Sequence, residues 1–308
     1  MKSNQLYAIV AVVVIVIAAA AAYVVLNNNG SNNTPGSMTD AAGNEIVVPS
    51  NVETITAASP SIADVVCYLG YYDKIVCVSD YCTNSLIPSS VTSCGSYTRP
   101  DSDAISTANA TVTFIDGSGS SAVEVYNTLR GAGMNVILMY GSDDGAEGAY
   151  KNVEIVGYVM GGYSAAEDVV DKMKSTISSL ADNTSGAETT NMIISTGLGS
   201  LSVDSDGNWT NLDSFTGSGV YLAGNGSTLN TLCGLVSEAS NPVSGSSWVS
   251  ADTDMISTSL ADTEVMFVLW TNKNAVPNET AIEQLYEKLN ETAWANVGAV
   301  QNKNIVFI

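Results

Sequence analysis

The sequence predicts an α/β protein of two Rossmann-like lobes with central sheets, joined by one long helix, with a ligand cleft between the lobes. Three features lead there. Short Val/Ile-rich runs alternate with helical stretches, a long amphipathic helical pattern interrupts the series, and a second series of the same kind follows it.

The first series opens with a short strand at Glu45–Pro49 after an Ala-Gly-Asn turn, then a strand at Thr54–Ala58 that ends at Ser59-Pro60-Ser61. Ser61 is expected to cap a helix over Ile62–Leu69 that stops at Gly70. A strand at Lys74–Val78 leads into the loop Ser79–Pro100. A short helix at Ser102–Ala108, a strand at Val112–Ile115, a helix at Ala122–Gly131 and a strand at Asn135–Met139 complete the lobe. From Gly148 to Leu180 apolar Val153, Val156, Val159, Val169, Val170, Met173 and Ile177 share one helical side, with Gly161-Gly162 as a break or kink. After the polar stretch Ala181–Glu188, the second series has a strand at Met192–Ser195, helices at Gly226–Ser237 and Met255–Leu260, and a strand at Val265–Trp270. A helix at Glu279–Leu289 and a strand at Ile305–Ile308 end it. The expected division is residues 38–147 for the N-terminal lobe, 148–182 for the interlobe helix and 183–308 for the C-terminal lobe. In such open sheets, ligands sit at the carboxyl ends of the strands.

Ahead of the lobes, residues 1–26 hold an uncharged apolar run from Leu6 to Leu26, with Tyr7 and Tyr23 near its ends. As a helix at about 1.5 Å per residue it matches a bilayer core of roughly 30 Å. Lys2 precedes it and no basic residue follows until Lys74, which puts the bulk of the chain outside the cell. The reading is a single-pass transmembrane anchor, with a cleaved signal peptide as the alternative. Residues 27–37, NNNGSNNTPGS, form a flexible linker.

Composition removes whole classes of function. With Lys+Arg 10 and Asp+Glu 31 the net charge is −21, which repels nucleic acid. There is no histidine, so Ser-His-Asp and Cys-His catalysis and histidine metal sites are excluded. The five cysteines fit an exported protein with one or two disulfides. Cys82 and Cys94 bracket a proline-containing loop and are the preferred pair, Cys67–Cys77 is next, and buried unpaired thiols are the alternative. Asp204–Asn208, DSDGN, lacks the glutamate a calcium loop needs and reads as a hairpin turn.

The run Met38–Ser79, MTDAAGNEIVVPSNVETITAASPSIADVVCYLGYYDKIVCVS, resembles the opening of class III periplasmic-type substrate-binding proteins, which serve ABC importers of cobalamin, haem and iron–siderophore complexes. Cys94–Ile105, CGSYTRPDSDAI, is similar to a second element of that family. LRGAGMNVILM, YLAGNGSTLNTLCGLV and TEVMFVLW continue the resemblance toward Ile308. The family normally adds a final helix after the strand that here ends at Ile308.

The resemblance implies a binding protein without enzyme activity or cofactor, holding an iron chelate, haem or corrinoid and docking on ABC permease subunits. It points to Ser59, Ser61, Tyr81, Ser96, Tyr97 and Arg99 in the first lobe and to Tyr221 and Trp270 in the second as ligand contacts. Tyr and Trp offer rigid flat faces to a macrocycle, and Arg99 can pair with an anionic chelate. Asp103 and Asp254, at helix starts, are the implied permease-docking carboxylates, with plain helix capping as the alternative. Bare metal ions are disfavoured without histidine. A second functional reading is a surface sensor or adhesion module that keeps the fold and has no transport role.

Overall fold

The computed structural model describes residues 34–141, 144–184, 190–225, 239–245, 248–270 and 275–308. The expected anchor, most of the linker, the helix expected at Gly226–Ser237 and Cys233 lie outside them. No helix among the described residues is long and apolar enough to cross a membrane. The chain divides into two α/β units, one running to Thr176 and the other from Ile177.

The first unit is built on a five-stranded sheet in the order β3-β2-β1-β6-β7, formed by β1 (Ile55–Ala57), β2 (Ile75–Val78), β3 (Thr92–Ser93), β6 (Val112–Asp116) and β7 (Val136–Met139). Every pairing in it is parallel. All residues of β1, β6 and β7 are buried, as expected of a parallel sheet covered on both faces. The cover includes α1 (Pro60–Tyr68), which buries Ile62, Ala63, Val66 and Cys67. It also includes α3 (Ser120–Gly131), which buries Ala122, Tyr126 and Leu129. Between β3 and β6 come the two-stranded hairpin of β4 (Gly95–Ser96) and β5 (Arg99–Pro100), then α2 (Ser102–Ala108).

Three expectations are corrected here. Glu45–Pro49 is not a strand: Thr39 and Glu45 make an isolated bridge, Ile46 alone is buried, and Val47 and Val48 face solvent without strand partners. Pro60 at the first helical position starts α1 before Ser61, because its missing N–H costs a helix start nothing; Ser59 is the N-cap position and Ser61 lies inside the first turn. The loop expected over Ser79–Pro100 contains β3, β4 and β5.

The stretch expected as one interlobe helix is two. α4 (Gly145–Met160) ends at Gly161, which takes φ +74° in the left-handed region, and α5 (Tyr163–Thr184) follows. α4 packs on α1 of the first unit, while α5 carries the chain from one unit into the other.

The second unit has β8 (Thr190–Ser195) flanked by β12 (Val265–Val268), itself paired with β13 (Ile305–Phe307), all parallel. On its other side β9 (Tyr221–Ala223) runs antiparallel to β8, and β11 (Trp248–Ser250) antiparallel to β9. The short β10 (Ala239–Ser240) also pairs with β8. The core joins Ile193, Leu222, Met266 and Val268 from the sheet to Leu285 and Leu289 of α7 (Glu279–Leu289) and to Trp294. Ile305 N–H donates to Tyr286 Oη at 2.9 Å, which ties β13 to α7. The helices α6 (Thr253–Thr258) and α8 (Gly298–Gln301) complete the unit. DSDGN is a hairpin turn, with Val203 bridging Trp209 and the Asp204 carboxylate accepting from the Asp206 and Asn208 amides.

Candidate functional site

The parallel register of β1 and β6 sets Ala57 opposite Phe114, so the residues that follow β1 emerge beside the end of β6. There Ser59 Oγ donates to Asp116 Oδ2 at 2.9 Å and meets Ser61 Oγ at 2.9 Å, while Asp116 Oδ1 accepts from the Ser118 amide at 2.8 Å. Ser59 and Asp116 are buried, at 2% and 7% exposure, and Ser61 is exposed. Ser59 holds the N-cap backbone position of α1 without capping it by its side chain, because its hydroxyl serves the carboxylate instead. Asp116 is a member of this group that the sequence reading missed. The available signal was an acidic residue closing the apolar run Val112–Ile115, where a carboxylate needs compensating donors.

The loops after β6 and β7 approach at backbone distance. A Cβ on Gly117 would lie 2.6 Å from the Met139 carbonyl oxygen, and one on Gly141 would lie 2.7 Å from the Ser118 nitrogen. Only glycine fits both positions, so this part of the rim presents backbone.

Tyr81 and Tyr97 come from different loops. Tyr81 follows β2 in a turn fixed by the Asp80 amide donating to Gly95 O and by Ser93 Oγ donating to the Asp80 carboxylate. Tyr97 sits at the tip of the β4–β5 hairpin, where Ser96 Oγ and Thr98 Oγ1 are 3.0 Å apart. The two rings meet edge to face, with centroids 5.9 Å apart and planes at 82°. Tyr81 remains 59% exposed, so much of its ring faces solvent. Arg99, on β5, is exposed and enters no salt bridge with a described residue.

In the second unit Tyr221 is 50% exposed on β9. Its antiparallel neighbour β11 pairs Ser250 with Tyr221 and Trp248 with Ala223, which puts Trp248 on the sheet face of Tyr221 and diagonal to it. Trp248, 37% exposed, is a second residue the sequence reading missed. Its segment is too short to show a strand period on its own. Trp270 is placed differently. Its ring packs edge to face against both Trp209 and Phe307 at 5.6 Å, and its Nε1–H donates to Ala275 O at 2.8 Å.

The two helix starts separate capping from display. Asp101 Oδ1 accepts from the Asp103 and Ala104 amides at 2.9 and 3.0 Å, and Asp252 Oδ1 accepts from the Met255 amide at 2.8 Å. Asp103 and Asp254 lie exposed in the first turns of α2 and α6, and their carboxylates take no part in those caps.

Cys67, Cys77, Cys82 and Cys94 are all thiols in this structure, so the expected Cys82–Cys94 bond is not formed in it. Burial and the nearby Asp64 carboxylate push Cys67 and Cys82 up to about 11.

Residues 55–308 match the profile of a family described as periplasmic binding protein. Solved structures share the fold at low identity. A haem-binding protein HmuT is 17% identical, covering 92% of this chain and 85% of its own, with a TM-score of 0.64. The periplasmic vitamin B12-binding protein BtuF of Vibrio cholerae is 13% identical over 83% and 88%, with a TM-score of 0.60. The periplasmic haem-binding protein HutB of the same organism is 18% identical over 83% and 89%, with a TM-score of 0.58. No curated protein matches the chain in sequence.

Proposed function

The chain belongs to the periplasmic binding protein family, and we propose that it captures a metal chelate outside the cell, a ferric siderophore, haem or cobalamin, and delivers it to the permease of an ABC importer. Members of this family bind solutes and transform none, in keeping with the expectation of a non-enzyme. The resemblance to class III substrate-binding proteins and the haem- and B12-binding neighbours support the ligand class.

The observation that carries the reading is the Tyr81–Tyr97 pair on the rim of the first unit, with Arg99 exposed on the same hairpin as Tyr97. Two rigid aromatic faces and one cation suit a flat or aromatic chelate that carries negative charge. Within the second unit, Tyr221 and Trp248 supply an exposed aromatic surface of their own. Asp103 and Asp254, exposed and free of capping duty, suit contact with basic permease residues. The apolar run Leu6–Leu26 would hold the binding units at the outer face of the membrane.

The test is titration of the purified protein with haemin, cyanocobalamin and a ferric siderophore, read by melting temperature and visible absorption. One class is expected to raise the melting temperature, and Tyr81→Ala or Tyr97→Ala to weaken that ligand about tenfold, in the range of a lost aromatic contact. No response to any of the three ligands rejects the proposal.

A further inference from the structure

From the pairing of β2 with β3 we infer that Cys77 and Cys94 form a disulfide that staples the Tyr81 loop to the sheet. Cys77 on β2 stands opposite Thr92 on β3. Two residues further on, the Cys94 amide donates to Val78 O at 2.7 Å. Strand alternation puts Thr92 and Cys94 on one side, so Cys94 is the diagonal neighbour of Cys77. Both are closed off from solvent, at 0% and 1% exposure, in one cluster with Ala58, Ile105 and Ile115. The two thiols interact, which lowers Cys77 from its ordinary value, while that interaction and burial raise Cys94. For diagonal neighbours on adjacent strands, the bond requires the end of β3 to draw toward β2 until the Cβ atoms reach the roughly 3.5–4.5 Å that a disulfide takes.

The expected alternative pair is less well placed. Cys82 is half-buried and lies outside the core cluster that holds Cys77 and Cys94. A Cys77–Cys94 bond closes the segment that carries Asp80 and Tyr81, and Tyr97 follows three residues beyond it. Both rings of the aromatic pair are thereby braced from one crosslink.

The oxidant is a small-molecule disulfide or a disulfide-bearing oxidoreductase of the extracellular space. A thiolate of the pair attacks the oxidant's disulfide, releasing one thiol and leaving a mixed disulfide. The second cysteine then displaces the second thiol. One S–S bond breaks and one forms, two electrons pass to the oxidant, and the two protons leave with its thiols. Because both sulfurs are buried, the exchange takes place as the chain folds. The inference rests on the extracellular reading only for its oxidising surroundings.

The experiment is therefore done on the purified full chain, reduced and unfolded, then refolded in a mixture of oxidised and reduced glutathione. Free thiols are trapped at low pH with N-ethylmaleimide. Cleavage before Asp80 and after Leu86 separates Cys77, Cys82 and Cys94 for mass spectrometry. The expected product joins the Cys77 and Cys94 peptides, with Cys67 and Cys82 alkylated. A Cys82–Cys94 link, or alkylation of all four, overturns the inference. The oxidised protein is expected to melt roughly 5–10 °C above the reduced one, and Cys77→Ser with Cys94→Ser to abolish that gap. Where those variants do not fold, the peptide map of the wild-type chain decides alone. Ligand titration is a separate readout, so failure of the crosslink and failure of the binding proposal are told apart.

Discussion

Ser59 and Asp116 lie fifty-seven residues apart in sequence and are joined by a 2.9 Å hydrogen bond across the carboxyl ends of two neighbouring parallel strands. The bond fixes where α1 begins relative to β6, and so sets the position of Ser61 on the rim. Its consequences can be measured.

Asp116→Ala removes the acceptor that Ser59 Oγ and the Ser118 amide share and leaves the buried Ser59 hydroxyl with Ser61 Oγ as its remaining partner among these groups. The expected loss is about 2–3 kcal/mol in urea unfolding, the range for hydrogen bonds to a charged partner. Ser59→Ala is expected to cost less, since the carboxylate keeps its amide donor. Equal stability of Asp116→Ala and wild type would show that the bond does not organise the rim.

Asp101 and Asp103 are two residues apart and predicted to behave oppositely. Asp101→Ala removes two cap bonds and should cost about 1 kcal/mol, whereas Asp103→Ala should cost about 0.5 kcal/mol or less. The same contrast is expected for Asp252 and Asp254. In a cellular uptake assay, Asp103→Ala and Asp254→Ala should lose delivery while retaining ligand binding. Retained uptake favours the sensor reading.

Stability should fall on the alkaline side. Burial raises the phenols of Tyr68, Tyr71, Tyr126, Tyr150 and Tyr163 from their ordinary 10.0. A phenol with a higher pKa folded than unfolded contributes its full stability below about pH 10 and loses it as pH climbs through the folded value. Urea midpoints are thus expected to hold between pH 7 and 9 and to drop above about pH 10. Tyr126 Oη donates to Asp40 Oδ2 at 2.6 Å and accepts from Asn44 Nδ2 at 2.8 Å. Tyr126→Phe should therefore cost about 1–2 kcal/mol at pH 7 and make the alkaline drop shallower.

Gly157→Ala sets helix propensity against packing. Alanine gains about 1 kcal/mol in a helix interior, but its Cβ would lie 2.3 Å from the Cβ of Ala166, where α5 crosses α4. Neither methyl can rotate away, so overpacking wins and a net loss of about 1–3 kcal/mol is expected by chemical denaturation. A stabilised variant would mean that α5 slides freely on α4.

Much of the fold was legible where one property repeats along the chain. The apolar runs at Ile75, Val112, Val136 and Val265 are strands, and Ser102–Ala108 and Glu279–Leu289 are helices over the residues the pattern marks. Glu45–Pro49 misled because β-branched residues alone do not make a strand without a neighbour to pair with. The Gly161-Gly162 pair signals a kink or a break, and the left-handed φ of Gly161 makes it a break.

By itself, the sequence determined the α/β class, the lack of histidine chemistry and the acidic charge, because these follow from composition and short-range periodicity. Tertiary structure decided which groups meet: Asp116 with Ser59, Tyr81 with Tyr97, Trp248 beside Tyr221, and Cys94 in one core cluster with Cys77. Those encounters are set by strand order and register in sheets whose neighbouring strands are distant in the chain, information that no local pattern of residues contains.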